Sequence, residues 1–469
     1  MYQRNLFYTC LIILFFSIPL WVDLYSKRLM EPKLSGNAGT DAVVIKFWQY
    51  WAGEEKEALA KLIQKFNQEK HGFTVEMQSI SLPRKKVMMA ITANVPPDLV
   101  LLDGDMVMDF ALRSALVPLE KILVEDGTIA KSANLRLRNQ GETNLAEFYK
   151  NITKIILPNY LEMLFIKGSQ VALPIMPAVE ALHINKTLLN KYNLKSPESL
   201  EELIYISDSI IKKSNFNEFG WLPTWPIWSG RFIVTVFGGK WAENAEIGVC
   251  KQSHDYKITA NTPENIKAWE WVLDNFIKKI PQEKLQGFIE GNISYQSPDN
   301  PFYAGQVALE TSGVWEYGFA KKFSPNYQVE VKAFPSFNSQ APTEIAVDAL
   351  AIPKGAKNPD KALYFMLWLL KKENINYLAL SQSKFPPLKL SESEKREFIK
   401  KHPNPYIEVF MDLAESSNAV YFPHLSFSKE YKREIKKAFD KVLRLEMSPK
   451  GALDDLQRRM LLAQRRSVY

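Results

Sequence analysis

Residues 43–105 read VVIKFWQYWAGEEKEALAKLIQKFNQEKHGFTVEMQSISLPRKKVMMAITANVPPDLVLLDGD, and their hydrophobic pattern changes repeatedly between the period of a strand and that of a helix. The predicted elements are, in order, a strand at Val43–Phe47, a helix at Glu55–Glu69, a strand at Phe73–Ile80, a helix opened by Pro83 and a strand at Leu99–Leu102. The last strand is wholly apolar, which is typical of a strand buried on both faces. This alternation predicts a parallel, doubly wound α/β domain.

Ligands of such sheets bind beyond the carboxyl ends of the strands. Two of these ends are visible here: Tyr50 and Trp51 follow the first strand, while Asp103 and Asp105 follow the third. Aromatic rings stack on the apolar C–H faces of a sugar, and carboxylates accept strong hydrogen bonds from its hydroxyl groups. The pattern favours a sugar site, although aromatic residues are also common in cores and Asp-Gly is also a turn signal.

The segment Phe219–Trp241 is rich in tryptophan. Trp221, Trp225 and Trp228 lie close together in it and are candidates for lining a cleft, with burial in a core as the alternative. Further along, Ala362–Leu370 is a run of apolar residues too short to span a membrane, which predicts a buried helix.

Composition narrows the class of protein. The chain has 469 residues, 46% of them hydrophobic and 24% charged, which predicts two or three globular domains. The net charge of +7 is concentrated in residues 1–33 and 441–469, and the nearly neutral body between them argues against nucleic-acid binding. Cys10 and Cys250 cannot form a disulfide framework.

Motifs for catalysis are absent from the sequence. It contains no Gly-rich phosphate loop, no nucleophile elbow and no histidine pair at a metal-ligand spacing, so we expect no cofactor and no metal. Asp103 and Asp105 are the nearest candidates for the paired acids of a glycoside hydrolase. Two acids at i,i+2 on one loop cannot by themselves flank a scissile bond, so we expect a protein that is not an enzyme.

The N-terminus predicts export. Asn5–Val22 carries no charge, Arg4 precedes it, and no small-x-small cleavage site follows it. We interpret residues 1–40 as an uncleaved membrane anchor with a flexible linker at Glu31–Thr40; a cleaved signal peptide and a buried helix are the alternatives.

The chain resembles the extracellular solute-binding proteins of ABC importers, in the carbohydrate-binding group that includes maltose-, multiple-sugar- and glycerol-phosphate-binding proteins. The likeness extends from Val43 to Leu462. It rests on VVIKFWQYW, FNQEKHGFTVE, ANVPPDLVLLDGD, FALRSALVPLE, ALPIMPAVEALHINKTLL, FGWLPTWPIW, FYAGQVALETSGVW, ALAIPKGAKNPDKALYFMLWLL and SPKGALDDLQRRM, in the family's order.

The resemblance implies the two-lobed type II binding-protein fold, in which each lobe is a doubly wound sheet flanked by helices and the ligand cleft lies between the lobes. We expect lobe 1 to comprise residues 41–177 and 333–380, and lobe 2 to comprise residues 178–332 and 381–469. The resemblance implies ligand-binding roles for Tyr50, Trp51, Asp103, Asp105, Glu180, His183, Trp225 and Trp315. Trp221 and Trp228 of the tryptophan-rich segment and Asp348 complete the set of candidate ligand-binding residues.

Two positions in the sequence depart from the family pattern. Leu102 stands where maltodextrin binders carry a stacking tryptophan, which argues against maltose itself. Asp348 stands where many relatives have glycine, and it adds a carboxylate that could select a different ligand or a cation.

The implied function is that of an extracytoplasmic receptor, in the periplasm or at the cell surface, tethered to the membrane by its N-terminal segment. It would capture an oligosaccharide or related polyol by hinge closure and deliver it, as a monomer, to the permease subunits of an ABC transporter. The alternatives are a membrane-anchored sensor that keeps the fold without a transporter and, less favoured, a glycoside hydrolase.

Overall fold

The computed structural model describes residues 43–124, 144–223, 229–243, 256–290, 297–337, 341–423 and 425–466. Within these ranges, no helix combines the length and the apolar character needed to cross a membrane. The proposed anchor segment Asn5–Val22 and both cysteines lie outside them.

Nine of the described strands form one mixed sheet. The strands are β1 (Val43–Gln49), β2 (Phe73–Ser79), β3 (Leu99–Asp103), β4 (Phe165–Ile166), β5 (Ser169–Gln170), β6 (Ala172–Asn185), β7 (Phe219–Trp221), β8 (Ala242–Glu243), β9 (Lys257–Ile258), β10 (Val307–Gly313), β11 (Val329–Lys332), β12 (Thr343–Ala351) and β13 (Ala419–Val420). The order across the sheet is β2-β1-β3-β12-β6-β10-β7, with β11 also paired to β6 and β13 to β12. Strands β4 and β5 form one hairpin, and β8 and β9 another.

The first three strands confirm the predicted βαβαβ unit, since β1 and β3 pair in parallel. The sheet becomes mixed where later strands join it, because β12 runs antiparallel to both β3 and β6. The parallel arrangement predicted for residues 43–105 is therefore confirmed for β1 and β3, and the strands that follow make the complete sheet mixed.

Helices cover the sheet, and several begin with a first-turn proline or a capping residue. Pro83 and Pro263 occupy first-turn positions, and Ser391 and Glu394 form a capping box. The helices are α1 (Gly53–Gln68), α2 (Pro83–Thr92), α3 (Gly104–Leu112), α4 (Leu119–Val124), α5 (Leu145–Ile155), α6 (Pro158–Glu162), α7 (Lys186–Lys191), α8 (Leu200–Ser214), α9 (Ser229–Val236), α10 (Pro263–Asn275), α11 (Gln282–Glu290), α12 (Glu316–Phe323), α13 (Pro359–Leu369), α14 (Lys372–Ser381), α15 (Glu392–Lys401), α16 (Ile407–Glu415), α17 (Ser428–Leu443) and α18 (Pro449–Arg466), with a 3₁₀ turn at Ile277–Lys279.

Two large hydrophobic cores divide the described chain into two lobes, as the family resemblance predicts. Strand β6 crosses from one to the other: Ala181 packs in the first core and Leu182 in the second. Its first half pairs with β12, and its second half pairs with β10 and β11. The lobes therefore share a continuous β-ladder where the chain crosses between them.

One predicted lobe boundary differs from the structure. We expected residues 381–469 to belong to lobe 2, but Phe385, Phe398 and Phe410 pack in the first core, and the return to the second core comes at Phe422. Within this segment, α16 packs against β6 and β12, which holds it on lobe 1.

Candidate functional site

A cavity of about 560 Å³ lies between the two cores. Lobe 1 contributes the ends of β1 and β3, the crossing strands β6 and β12 form one wall, and lobe 2 contributes α9, α17 and the loop before α17. Six of the predicted site residues line this cavity: Tyr50, Trp51, Asp103, Asp105, Trp315 and Asp348. The carboxyl ends of the first and third strands therefore both open onto this cavity.

Asp348 is fixed by two aromatic residues of the β1 loop. The Tyr50 hydroxyl donates to its Oδ1 at 2.5 Å, and Trp51 Nε1 donates to its Oδ2 at 2.9 Å. The pairing of β12 with β6 is irregular between Asp348 and Ala349, and such a bulge re-aims a side chain. Burial raises the pKa of Asp348, against the opposing effects of Lys384 and of its two hydrogen bonds.

Asp103 ends β3 and caps α3. Its Oδ1 accepts a hydrogen bond from the backbone N–H of Met106 at 2.7 Å. Burial, together with the nearby carboxylates of Asp105 and Asp348, raises the pKa of Asp103 to about 6, although the bond from Met106 opposes the shift. This residue is therefore a helix cap that also lines the cavity.

Asp105 forms an ion pair across the cavity. Lys432 Nζ lies 2.6 Å from its Oδ1 and 2.7 Å from its Oδ2. Burial acts to raise the pKa of Asp105, but Lys432 and Arg231 outweigh it, and the net shift is downward. The Asp105 carboxylate is therefore ionised at neutral pH.

A second cation at the cavity belongs to lobe 1. The Lys384 ammonium lies 2.5 Å from Glu55 Oε1 and 5.8 Å from the centre of the Trp51 ring. It neutralises an acid on the cavity wall while its charge faces an aromatic ring.

In the cavity wall, Arg231 binds the carboxylate of Glu344 with two nitrogens. Its Nε donates to Oε2 at 2.8 Å, and Nη2 contacts Oε1. The charges of Arg231 and Glu344 also act on Glu180, which is only 8% exposed. Its Oε2 has no hydrogen-bond partner among the described residues. Burial and the Glu344 charge raise the pKa of Glu180 well above its ordinary value, although Arg231 and Lys432 oppose this.

The Trp315 ring packs against the backbone at Gly313, where a side chain would overlap it. A Cβ built on Gly313 would stand 2.2 Å from two carbons of the Trp315 ring, so the ring packs directly on the strand backbone. The ring also packs against the first core, and Phe319 lines the cavity one helical turn further along. This contact fixes the orientation of an aromatic surface at the cavity.

The remaining predicted site residues lie elsewhere. Trp221 is 1% exposed in the second core, and its Nε1 donates to Thr311 at 3.2 Å. His183 is fully buried on β6 with its ring 5.8 Å from that of Phe410, and burial lowers its pKa to about 3. Neither they nor Glu180 line the cavity. Trp225 and Trp228 fall outside the described residues.

Several cavity residues were not predicted from the sequence. They are Arg231, Glu344, Lys384, Tyr421, Phe422 and Lys432. Lys432 lies in the helix SKEYKREIKKAFDKVL, which contains several lysines. In the sequence they all resemble lysines of a solvent-exposed helix face. Only the orientation of α17 toward the opposite lobe distinguishes this lysine from its neighbours.

The acids of the cavity are engaged as hydrogen-bond or ion-pair acceptors. Asp348 accepts from two aromatic donors, Asp105 from Lys432 and Glu344 from Arg231. Fixed carboxylates beside the aromatic side chains that line the cavity suit the recognition of a polyhydroxylated ligand, whose hydroxyls and C–H faces need those two kinds of partner.

Replacing Glu180 with glutamine is expected to stabilise the protein at high pH. The pKa of Glu180 is higher in the folded state than its ordinary value near 4.5, so wild-type stability falls as pH rises from that value toward the raised pKa. Glu180→Gln has no such ionisation, and the gain should be about 1–2 kcal/mol at pH 8 and vanish near pH 4. Denaturant unfolding across this pH range measures it; a gain independent of pH would contradict the role of ionisation.

Two lobes with a cavity between them are the arrangement of a two-lobed binding protein. Comparison with known proteins places this chain in the same class. Residues 61–405 match the family of bacterial extracellular solute-binding proteins. The chain belongs to this family, which confirms the resemblance found in the sequence.

Solved structures with the same fold contain sugars. CpMnBP1 with mannobiose bound has a TM-score of 0.69 and 21% identity, covering 89% of this chain and 99% of that one. An ABC substrate-binding protein from Listeria monocytogenes in complex with cycloalternan has a TM-score of 0.69 and 17% identity, covering 89% and 98%. The GacH receptor of Streptomyces glaucescens, solved unliganded and with acarbose, has a TM-score of 0.68 and 19% identity, covering 91% and 99%. At these identities the likeness establishes the two-lobed fold.

Proposed function

We propose that this chain is an extracytoplasmic receptor that captures a carbohydrate, an oligosaccharide or a related polyol, between its two lobes and presents it to the permease of an ABC transporter. The observation that carries this proposal is the cavity itself. It combines the Trp51 and Trp315 rings and the carboxylates of Asp103, Asp105 and Asp348, which lie against the first core, with Arg231, Phe422 and Lys432 of lobe 2.

The size of the cavity supports a small ligand. About 560 Å³ falls within the range of small-molecule sites, and most of the ligand surface would be enclosed. The sugars named for the structural relatives support the same class of ligand. No chemistry on the ligand is needed for this role.

Capture would operate by population shift. A ligand that contacts both lobes at once binds the closed form better than the open form, and so increases the closed fraction. A permease that recognises the closed arrangement would then receive loaded receptor in preference to empty receptor. We further propose that the N-terminal segment tethers the protein to the membrane and that it acts as a monomer.

A thermal-shift screen tests this function. The purified full chain, in mild detergent, is heated with mono- and oligosaccharides, polyols, sugar phosphates and, as a control panel, amino acids. A ligand at 100 times its Kd should stabilise the fold by about 2.7 kcal/mol. A sugar hit whose thermal shift is reduced in Trp315→Ala supports the proposal. If the protein is folded and no sugar raises its melting temperature, the proposal is contradicted, and a sensor that has kept the fold without a transporter is favoured.

A further inference from the structure

The ion pair between Asp105 and Lys432 connects the two lobes directly. Asp105 lies in the first turn of α3, whose Met106 and Phe110 pack in the first core. Lys432 lies in the first turns of α17, whose Tyr431 and Ile435 pack in the second core. The paired residues are 327 positions apart in sequence, and each is carried by a helix anchored in its own lobe.

The lysine is oriented toward its partner by its surroundings. Its ammonium lies 4.8 Å from the centre of the Phe422 ring, in the loop before α17, and both carboxylate oxygens of Asp105 accept from it. Its side chain is 20% exposed, and that of Asp105 is 46% exposed. The contact is therefore a two-oxygen ion pair at the mouth of the cavity that water still reaches.

We propose that Asp105 and Lys432 form an interlobe latch that stabilises the closed arrangement of the ligand-free receptor. When the lobes separate, the two charges part and each is solvated by itself; when the lobes close, the pair forms again. The latch thus changes the ratio of closed to open protein without any ligand, and Lys432 acts as a positioning residue for the ligand site.

The expected size of the effect follows from the exposure of the pair. Partly exposed ion pairs change an equilibrium by up to about fivefold, and salt screens them. The apparent Kd for a ligand that binds the closed form scales inversely with the closed fraction. Loss of the latch should therefore raise the apparent Kd by about two- to fivefold. That second readout rests on the proposed function, whereas the change in closed fraction does not.

The test measures the distance between the lobes in the absence of ligand. Nitroxide labels are placed on the full chain at one exposed position of each lobe, Lys61→Cys and Glu201→Cys, after replacement of the native cysteines. Pulsed electron paramagnetic resonance then gives the distribution of distances between the two labels, for the wild type and for Lys432→Met, at low and high salt. The matched control is Lys436→Met, which removes a lysine one turn along α17 whose partner, Asp440, belongs to the same helix at 2.7 Å.

The latch predicts that Lys432→Met shifts the distribution toward longer distances, that Lys436→Met does not, and that 0.5 M salt moves the wild type toward the Lys432→Met distribution. Exchanging the charges, with Asp105→Lys and Lys432→Asp together, should restore the short distance at low salt. Identical distributions for wild type and Lys432→Met would overturn the latch, whether or not a sugar binds. If a sugar binds more tightly to Lys432→Met than to wild type, Lys432 competes with the ligand for Asp105, and the latch is likewise overturned.

Discussion

Replacing Arg231 with methionine should lower the free energy of unfolding by about 3–5 kcal/mol at neutral pH, the range measured when one partner of a buried ion pair is removed. Arg231 is 19% exposed at its side chain and Glu344 is 8% exposed, so little water can replace the lost guanidinium. Glu180 loses a compensating charge in the same step, because Arg231 is one of the groups that opposes the rise of its pKa.

The loss should depend on pH. Without Arg231 the pKa of Glu180 rises further, so ionising this residue becomes more costly as pH increases, and the deficit should shrink toward acidic pH, where the carboxyl is protonated. Scanning calorimetry between pH 4 and pH 8 measures both effects. Combining Arg231→Met with Glu344→Leu is the control, since removal of both partners should recover part of the loss. A deficit below about 1 kcal/mol in the single variant would show that the pair is effectively solvated.

Replacing Trp315 with alanine should weaken sugar binding by about 1–3 kcal/mol, or roughly 5- to 150-fold in Kd, because one aromatic face of the cavity is lost. The contact beneath the ring gives a sharper form of this prediction. In Gly313→Ala the new methyl group would overlap the ring, so the ring must leave its position although no ligand-facing atom has changed. We expect Gly313→Ala to raise Kd by about tenfold or more, as measured by titration calorimetry with the sugar found in the thermal-shift screen.

A matched glycine separates this effect from a general one. Gly318 lies in α12, five residues further on, and a Cβ there would meet no atom within 4 Å. Gly318→Ala should therefore leave Kd unchanged. If Gly313→Ala also binds normally while remaining folded, the orientation of the Trp315 ring does not determine affinity.

Local pattern was enough to predict the parts of the fold that depend on neighbours in sequence. Leu59, Leu62, Ile63 and Phe66 recur at helical spacing, and all four are buried on α1. The all-apolar run at β3 is buried as predicted. In contrast, nothing local indicates that β12 inserts antiparallel between β3 and β6, because that position depends on pairing with strands far away in sequence.

The same distinction separates the site residues that were predicted from those that were not. Tyr50 and Asp103 follow strands, and the topology of a parallel unit brings such ends together. Trp221 was a candidate because tryptophan suits both cleft and core, and only its packing among core residues shows which environment it occupies. Arg231 and Lys432 reach the cavity from helices of the opposite lobe, so their position depends on how the lobes meet.

Strand β6 has a consequence for how this protein can be divided. Its two halves belong to different cores, and each core also takes residues from a second, separated stretch of chain, so neither lobe is encoded by one uninterrupted stretch. A truncation or a protease cut within β6 would damage both lobes together. We therefore expect limited proteolysis to leave the ladder intact and to release no fragment that corresponds to a single lobe.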